Sequence, residues 1–129
     1  CGYLLIDVDD FKIFNTANGE VKSQALLKDI SAILQGSLTE IDRVGRLRED
    51  KFAVILPEKN KRQSAHVAEE IRKKIEDGLG KSIEPDKRLT VSVGVSENPI
   101  DGSTAEELME KAEKLVRSAK SLGKNRVAV

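Results

Sequence analysis

Residues 46–57 read Arg46-Leu47-Arg48-Glu49-Asp50-Lys51-Phe52-Ala53-Val54-Ile55-Leu56-Pro57 and place a charged four-residue tip between two apolar, β-prone segments. This pattern predicts a hairpin, with strands over residues 44–47 and 52–56 that enter the core and a tip that stays exposed. A second acidic cluster, Asp7-Val8-Asp9-Asp10, follows a short apolar run where a buried strand is expected to end. If the hairpin tip meets this strand end, Asp7 and Asp50 can share a cation.

The rest of the chain alternates between strand-like and helical periodicity. The apolar residues 3–8 and 89–95 predict buried strands, and residues 126–129 predict a short further strand. Helical spacing covers residues 12–16, residues 21–36, a face marked by Ala65, Ala68, Ile71 and Ile75, and a face marked by Leu108, Ala112, Leu115 and Ala119. This order predicts an α/β (α+β) domain with one mixed central sheet flanked by helices.

Local signals predict where these helices begin and end. Asp9 or Asp10 is expected to cap the short first helix. Thr104 has the capping-box spacing to Glu107 and is expected to open the last helix. A loop is expected over residues 82–87, and the predicted helix-ending glycines are Gly36, Gly78, Gly80 and Gly123.

Composition narrows the classes of function. The 129 residues suit one domain over residues 1–129, and 22 basic side chains balance 22 acidic ones, which disfavours nucleic-acid partners. No apolar run approaches the roughly 20 residues of a membrane span, and the single cysteine, Cys1, excludes an internal disulfide. We therefore expect a cytoplasmic domain with no membrane insertion. Its start within a strand-like segment suggests a fragment of a longer, multidomain protein.

Five motifs carry a resemblance to a known family. They are Leu5-Ile6-Asp7-Val8-Asp9-Asp10-Phe11-Lys12, Asn15, the hairpin, Thr90-Val91-Ser92-Val93-Gly94-Val95 and Ala119-Lys120-Ser121-Leu122-Gly123-Lys124-Asn125. Their order and spacing over residues 3–129 resemble those of a GGDEF domain, the diguanylate cyclase module of bacterial cyclic-di-GMP signalling. The resemblance implies a ferredoxin-like βααββαβ core, similar to that of nucleotidyl cyclases, with a mostly antiparallel sheet. The signature is degenerate, because Arg48-Glu49-Asp50-Lys51-Phe52 stands where the family has Gly-Gly-Asp/Glu-Glu-Phe.

The resemblance assigns a Mg²⁺ site and the catalytic position to the two acidic clusters. Asp7, the backbone carbonyl of Val8 and Asp50 match the family's metal ligands, and Mg²⁺ prefers such oxygen ligands. Lys51 replaces the glutamate that the family keeps beside the reacting 3′-hydroxyl, so Asp50 and Lys51 form a degenerate catalytic pair. This swap reverses a charge about 4–6 Å from the cation, where repulsion amounts to a few kcal/mol at an effective dielectric of about 20. Without the resemblance, the sequence fits equally well the alternative that Asp7 is only a polar strand end and Asp50 only a turn residue.

The same resemblance assigns seven positions to the nucleotide. Arg48 and Glu49 replace two glycines that let the nucleotide lie against the backbone. Asn15 matches a guanine-contacting asparagine, whereas Gln24 replaces its aspartate companion and is expected to weaken guanine preference. The phosphate-reaching positions are lysines, of which the last stands where arginine is usual: Lys12, Lys120 and Lys124. Without the resemblance, each of these lysines fits an ordinary solvated surface residue.

Two further residues are expected to have no catalytic role. The family's feedback site is an Arg-x-x-Asp pattern, and the corresponding Thr39-Glu40-Ile41-Asp42 keeps only Asp42. Product inhibition through that site is therefore not expected. His66 is an isolated histidine on a predicted helix, where surface exposure or packing explains it.

Three functions remain open at this point. The leading hypothesis is a degenerate GGDEF domain with little or no cyclase activity, kept as a regulatory or GTP-sensing module beside other signalling domains. The second is a weak diguanylate cyclase that converts two GTP molecules to c-di-GMP on two facing domains of a homodimer. The third is a protein-interaction domain in which the hairpin tip contacts a partner and no nucleotide binds.

Overall fold

The computed structural model describes residues 1–79 and 89–129 of the chain. Over these ranges five strands and four helices follow one another in sequence order. They are β1 (Gly2–Val8), α1 (Phe11–Asn18), α2 (Glu20–Gly36), β2 (Arg43–Arg48), β3 (Lys51–Leu56), α3 (Lys61–Leu79), β4 (Val91–Glu97), α4 (Ala105–Ser121) and β5 (Val127–Ala128). Two predictions, the loop over residues 82–87 and the helix-ending Gly80, lie outside the described residues.

The strands form one sheet in the order β2-β3-β1-β4-β5. β1 pairs antiparallel with both β3 and β4, β2 pairs antiparallel with β3, and β4 pairs in parallel with β5. The predicted mixed, mostly antiparallel sheet flanked by helices is therefore confirmed. β1 lies at its centre and is buried along its whole length, which explains the apolar run from Tyr3 to Ile6 that precedes Asp7.

Helices cover the sheet on both faces, and each face has its own core. Successive residues of a strand point to opposite faces of the sheet. Leu4 and Ile6 therefore pack with α2 and α3, whereas Tyr3 and Leu5 pack with α4. α4 lies very close to β4, since a Cβ atom at Gly94 would be 2.3 Å from the Ala112 carbonyl oxygen. A side chain at position 94 would therefore collide with the backbone of α4.

The hairpin differs from its prediction in two ways. Its turn contains only Glu49 and Asp50, because β2 extends to Arg48 and β3 begins at Lys51. The Arg46 guanidinium donates to the carbonyl oxygens of Arg48 and Glu49, at 3.2 Å each, and this supports the longer strand. β2 is an edge strand and is mostly exposed, so it reaches the core only through the half-buried Val44, whereas β3 enters the core.

Helix-capping predictions have mixed outcomes. Thr104 caps α4 as predicted, because its hydroxyl accepts the Glu107 backbone N–H at 3.2 Å. Asp10 occupies the N-cap position of α1 with a left-handed backbone, at φ 54°, but its side chain makes no capping hydrogen bond. The Asp9 side chain turns toward the sheet instead of the helix. Within residues 1–79 and 89–129, no helix has both the length and the hydrophobicity needed to cross a bilayer.

Candidate functional site

The hairpin tip and the end of β1 meet, which is the condition for a site shared by Asp7 and Asp50. The Val8 backbone N–H donates to the Asp50 carbonyl oxygen at 2.9 Å. Asp7 and Lys51 are paired in the β1–β3 register, so their side chains emerge side by side on one face of the sheet. The acidic end of β1 and the charged tip of the hairpin therefore form one site.

Asp7 lies at the centre of this site between two lysines. Its side chain is only 8% exposed, the Lys120 ammonium lies 3.2 Å from Oδ1, and the Lys51 ammonium lies 3.8 Å from Oδ2. Burial raises the pKa of Asp7, Lys120 and Lys51 partly oppose that rise, and the nearby Asp50 carboxylate adds to it. Burial therefore disfavours the charged form of Asp7 by more than the two lysines favour it.

Asp9 is a site residue that sequence reasoning missed. Its buried carboxylate accepts hydrogen bonds from the hydroxyls of Thr90 and Ser92, both at 2.7 Å, and from the Asn125 backbone N–H at 3.0 Å. Lys120 also approaches it at 3.5 Å. Asp9 therefore ties β1 to β4 and to the segment before β5. Two signals were available in the sequence. Asp9 directly follows a buried run, and the hydroxyl residues Thr90 and Ser92 alternate at the start of β4.

The segment after α4 brings a third lysine, Lys124, to the same end of the sheet. Lys124 has a left-handed backbone, at φ 63°, and its ammonium lies 2.6 Å from Asp10 Oδ1. The hydrogen bond to Asp10 raises the pKa of Lys124. Because both side chains are substantially exposed, this pair is worth little stability on its own.

The remaining predicted nucleotide residues lie on three other elements and do not bond to Asp7. Lys12 and Asn15 lie on α1, Gln24 lies on α2, and Arg48 and Glu49 lie at the hairpin tip. Among the residues that the structure describes, Lys51 and Lys120 reach Asp7, whereas these five make no side-chain hydrogen bond or ion pair with it. Apart from Asn15, which is half-buried, they are exposed. Their assignment to a nucleotide stays a prediction.

Asp42 is the one residue that remains of the feedback pattern, and contacts with neighbouring residues hold its side chain. One carboxylate oxygen accepts the backbone N–H and the hydroxyl of Thr39, both at 2.9 Å, and the Lys59 ammonium lies 3.6 Å away. Burial opposes ionisation, but these partners outweigh it and lower the pKa of Asp42. Asp42 lies just before β2, at the end of the hairpin opposite the tip. His66 is exposed on α3, as predicted, with Glu70 at 3.4 Å.

The residues at the site do not fit the predicted Mg²⁺ ion well. Mg²⁺ is usually held by one or two carboxylates together with waters and substrate phosphates, and within residues 1–79 and 89–129 no group of three His, Cys, Asp or Glu side chains offers more ligands than that. A cation on Asp7 would also lie beside the Lys51 and Lys120 ammonium groups. Like charges at such distances repel strongly in a partly buried site.

Comparison of the sequence with known proteins gives a consistent family. The family described as diguanylate cyclase, GGDEF domain, matches residues 1–126. Diguanylate cyclase A of Treponema denticola is 32% identical over 129 residues, which cover 98% of this chain and 34% of that protein. The response regulator PleD of Caulobacter vibrioides is 31% identical over 127 residues, covering 96% of this chain and 28% of that protein. The chain thus spans about a third or less of these relatives.

Comparison of the fold with solved structures agrees. Diguanylate cyclase SiaD from Pseudomonas aeruginosa, solved in complex with its activator SiaC, matches with a TM-score of 0.87 and 26% identity over 98% of this chain and 48% of that chain. An EAL/GGDEF domain protein from M. capsulatus matches with a TM-score of 0.81 and 30% identity over 98% of this chain and 82% of that chain. The predicted nucleotidyl-cyclase-like fold class is confirmed.

Proposed function

The chain belongs to the GGDEF domain family of diguanylate cyclases, and we propose that it is a nucleotide-binding module of cyclic-di-GMP signalling with impaired cyclase activity. The observation that carries this proposal is the Lys51 ammonium, which lies 3.8 Å from the buried Asp7 carboxylate. A protonated lysine can hold a phosphate, but it cannot coordinate a metal ion. The altered tip therefore favours binding of a nucleotide over the joining of two GTP molecules into c-di-GMP.

Each predicted residue has a role in this proposal. Lys51 and Lys120 lie on either side of Asp7 and would hold the phosphates of GTP, with Lys12 and Lys124 at the margin. Asn15 and Gln24 would contact the guanine base. Arg48 and Glu49 would project into the space that two glycines leave open in the family. The domain would act as one unit of a longer signalling protein, next to other domains or a second copy.

A weak but active cyclase is the second candidate. It is supported by the approach of Asp50 to the end of β1, where its backbone oxygen accepts the Val8 N–H and its carboxylate raises the pKa of Asp7. The family's two metal-binding carboxylates thus remain neighbours. This candidate requires the site to accept a metal ion although Lys51 and Lys120 are present.

A protein-interaction domain is the third candidate. The two large apolar side chains Leu47 and Ile55, one on each strand of the hairpin, are exposed. Exposed apolar side chains on an edge hairpin suit contact with another protein. The solved complex of the relative SiaD with its activator SiaC makes a protein partner a reasonable alternative here as well.

Two measurements on the same sample separate these functions. We expect calorimetric titration with GTP to give saturable binding, and we expect c-di-GMP formation in the presence of Mg²⁺ to stay at the level of a no-protein blank. Product above the blank that Asp50→Ala abolishes would establish a cyclase and contradict the proposal. Absence of binding at millimolar GTP would favour the interaction domain.

A further inference from the structure

The backbone on both sides of Lys51 is fixed by pairing with β1. Asp7 and Lys51 are register partners on β1 and β3, and the hydrogen bond from Val8 to Asp50 anchors the preceding residue. The Lys51 side chain is 30% exposed, so its ammonium faces both Asp7 and solvent. The strand pairing therefore places the start of the Lys51 side chain beside Asp7.

Two ammonium groups already supply positive charge at Asp7 without a metal ion. Asp7 and Asp9 contribute two buried carboxylates, and Lys120 lies 3.2 Å from the first and 3.5 Å from the second. Lys51 supplies the second positive charge from the opposite side of Asp7. A divalent cation at Asp7 would have to displace one of these ammonium groups or bear their repulsion.

The two ammonium groups still have hydrogen-bonding capacity for an anion. Each carries three donors, and at 3.8 Å Lys51 is too far from Asp7 for a normal hydrogen bond. Lys120 is also 30% exposed, so a ligand can approach both lysines from solvent. Lysine is a common phosphate ligand in proteins because its compact charge pairs with phosphate oxygens.

We infer that Lys51 replaces the divalent cation at Asp7, so that this site takes the triphosphate of a guanine nucleotide directly, between Lys51 and Lys120, without a metal ion. This inference rests on the proposed nucleotide-binding function and specifies how that binding occurs. It also predicts that free GTP binds at least as tightly as its Mg²⁺ complex, because Mg²⁺ reduces the negative charge that the lysines attract.

The test is a calorimetric titration of GTP into the protein in EDTA and in magnesium chloride. For the wild type we expect affinities that differ less than about threefold between the two buffers. Lys51→Glu should weaken binding in EDTA by about tenfold or more and should recover part of it with Mg²⁺. Lys51→Met should weaken binding in EDTA without recovery, because it lacks both the charge and a metal ligand. Titration with Mn²⁺ alone should show binding only to Lys51→Glu.

Lys59→Glu is the matched control. Lys59 has the same ammonium, a similar exposed fraction of 24% and a similar separation of 3.6 Å from a buried aspartate, Asp42, at the other end of the hairpin. It should bind GTP as the wild type does, and urea unfolding should confirm that every variant is folded. Wild-type binding that needs Mg²⁺, or wild-type-like binding by Lys51→Met in EDTA, would overturn the inference alone. No binding of GTP in either buffer would overturn the proposed function together with it.

Discussion

Buried acidic side chains lie near lysines at both ends of β1, but they are much better hydrogen-bonded at one end than at the other. At the Val8 end, the buried Asp7 carboxylate lies near two lysines, and among the residues that the structure describes it has one contact short enough for a hydrogen bond, from Lys120 at 3.2 Å. At the Gly2 end, β1 pairs with β4 at Glu97, whose carboxylate accepts the Lys61 backbone N–H at the start of α3. The Lys61 ammonium lies 3.0 Å from Asp101, which also accepts the Glu97 backbone N–H at 2.9 Å.

The pKa values of the two aspartates show what this difference means. Burial is the largest single influence on both and favours the neutral acid. At Asp101 the hydrogen bonds from Lys61 and the Glu97 N–H outweigh burial and lower the pKa. At Asp7 the lysines do not outweigh burial, and Asp50 adds repulsion, so the pKa is raised. Asp101 therefore stabilises the fold, whereas the charge on Asp7 destabilises it, as is common at functional sites.

The largest effect is expected at Asp9. It lies close to Asp7 in the sequence, but we expect it to stabilise the fold as Asp101 does. Asp9→Ala removes an acceptor of three hydrogen bonds and leaves the hydroxyls of the buried Ser92 and the half-buried Thr90 without that acceptor. We expect the free energy of unfolding to fall by about 3 kcal/mol or more in urea titrations. Asp10→Ala is the control, because its exposed pair with Lys124 contributes little stability. Equal losses for the two variants would contradict the role of Asp9.

A smaller effect is expected at the Gly2 end. Asp101→Asn weakens the pair with Lys61, so we expect the free energy of unfolding at neutral pH to fall by about 1–2 kcal/mol. Binding of GTP should not change, because this end of β1 is remote from the hairpin tip. Asp29→Asn, an exposed change of the same kind on α2, provides the control for the substitution itself. A loss of GTP affinity in Asp101→Asn would show that the two ends are not independent.

The smallest effect is expected at Asp7. Asp7→Asn removes a charge that is unfavourable in the folded protein, so the free energy of unfolding at neutral pH should stay the same or rise by up to about 1 kcal/mol. Binding of GTP without metal should be retained, because the amide frees Lys51 and Lys120 from a competing anion. A metal site centred on Asp7 predicts the opposite, a loss of binding.

The pH dependence of Asp7→Asn distinguishes the two aspartates further. A raised pKa means that the folded protein holds the proton more tightly than the unfolded chain, so the contribution of Asp7 is favourable at low pH and is lost as the pH rises through its folded pKa. The stability of Asp7→Asn relative to the wild type should therefore increase with pH. Asp101 has a lowered pKa, so its contribution is present above the ordinary value and is lost as the pH falls. Parallel pH profiles for Asp7→Asn and Asp101→Asn would contradict this distinction.

Sequence patterns predicted most of the fold. The unbroken apolar run of β1 and the helical spacing of Leu26, Ile30 and Leu34 on α2 identified elements whose side chains are fully or nearly buried. In α4 the prediction was one residue off, since Val116 is buried and Leu115 is half-buried. The length of the hairpin turn was wrong because charge patterns do not show where strand pairing ends. That point depends on the Arg46 guanidinium, which caps two carbonyl groups near the turn.

The site was predictable only in part, for a similar reason. The proximity of Asp7 and Asp50 follows from a strand end and a hairpin tip, which are local features. The partners of Asp9 come from Thr90, Ser92 and Asn125, more than eighty residues along the chain. Such contacts depend on the tertiary arrangement of β1, β4 and the segment before β5. The approach of Lys120 to both buried aspartates depends on the same arrangement.

The central claim is that the altered hairpin tip, and not the rest of the fold, limits the chemistry. The most direct measurement is c-di-GMP formation from GTP and Mg²⁺ by the wild type and by the triple variant Arg48→Gly, Glu49→Gly and Lys51→Glu. We predict no product above the no-protein blank for the wild type and clear product for the triple variant, lost again when Asp50→Ala is added. Product from the wild type that Asp50→Ala abolishes would contradict the claim.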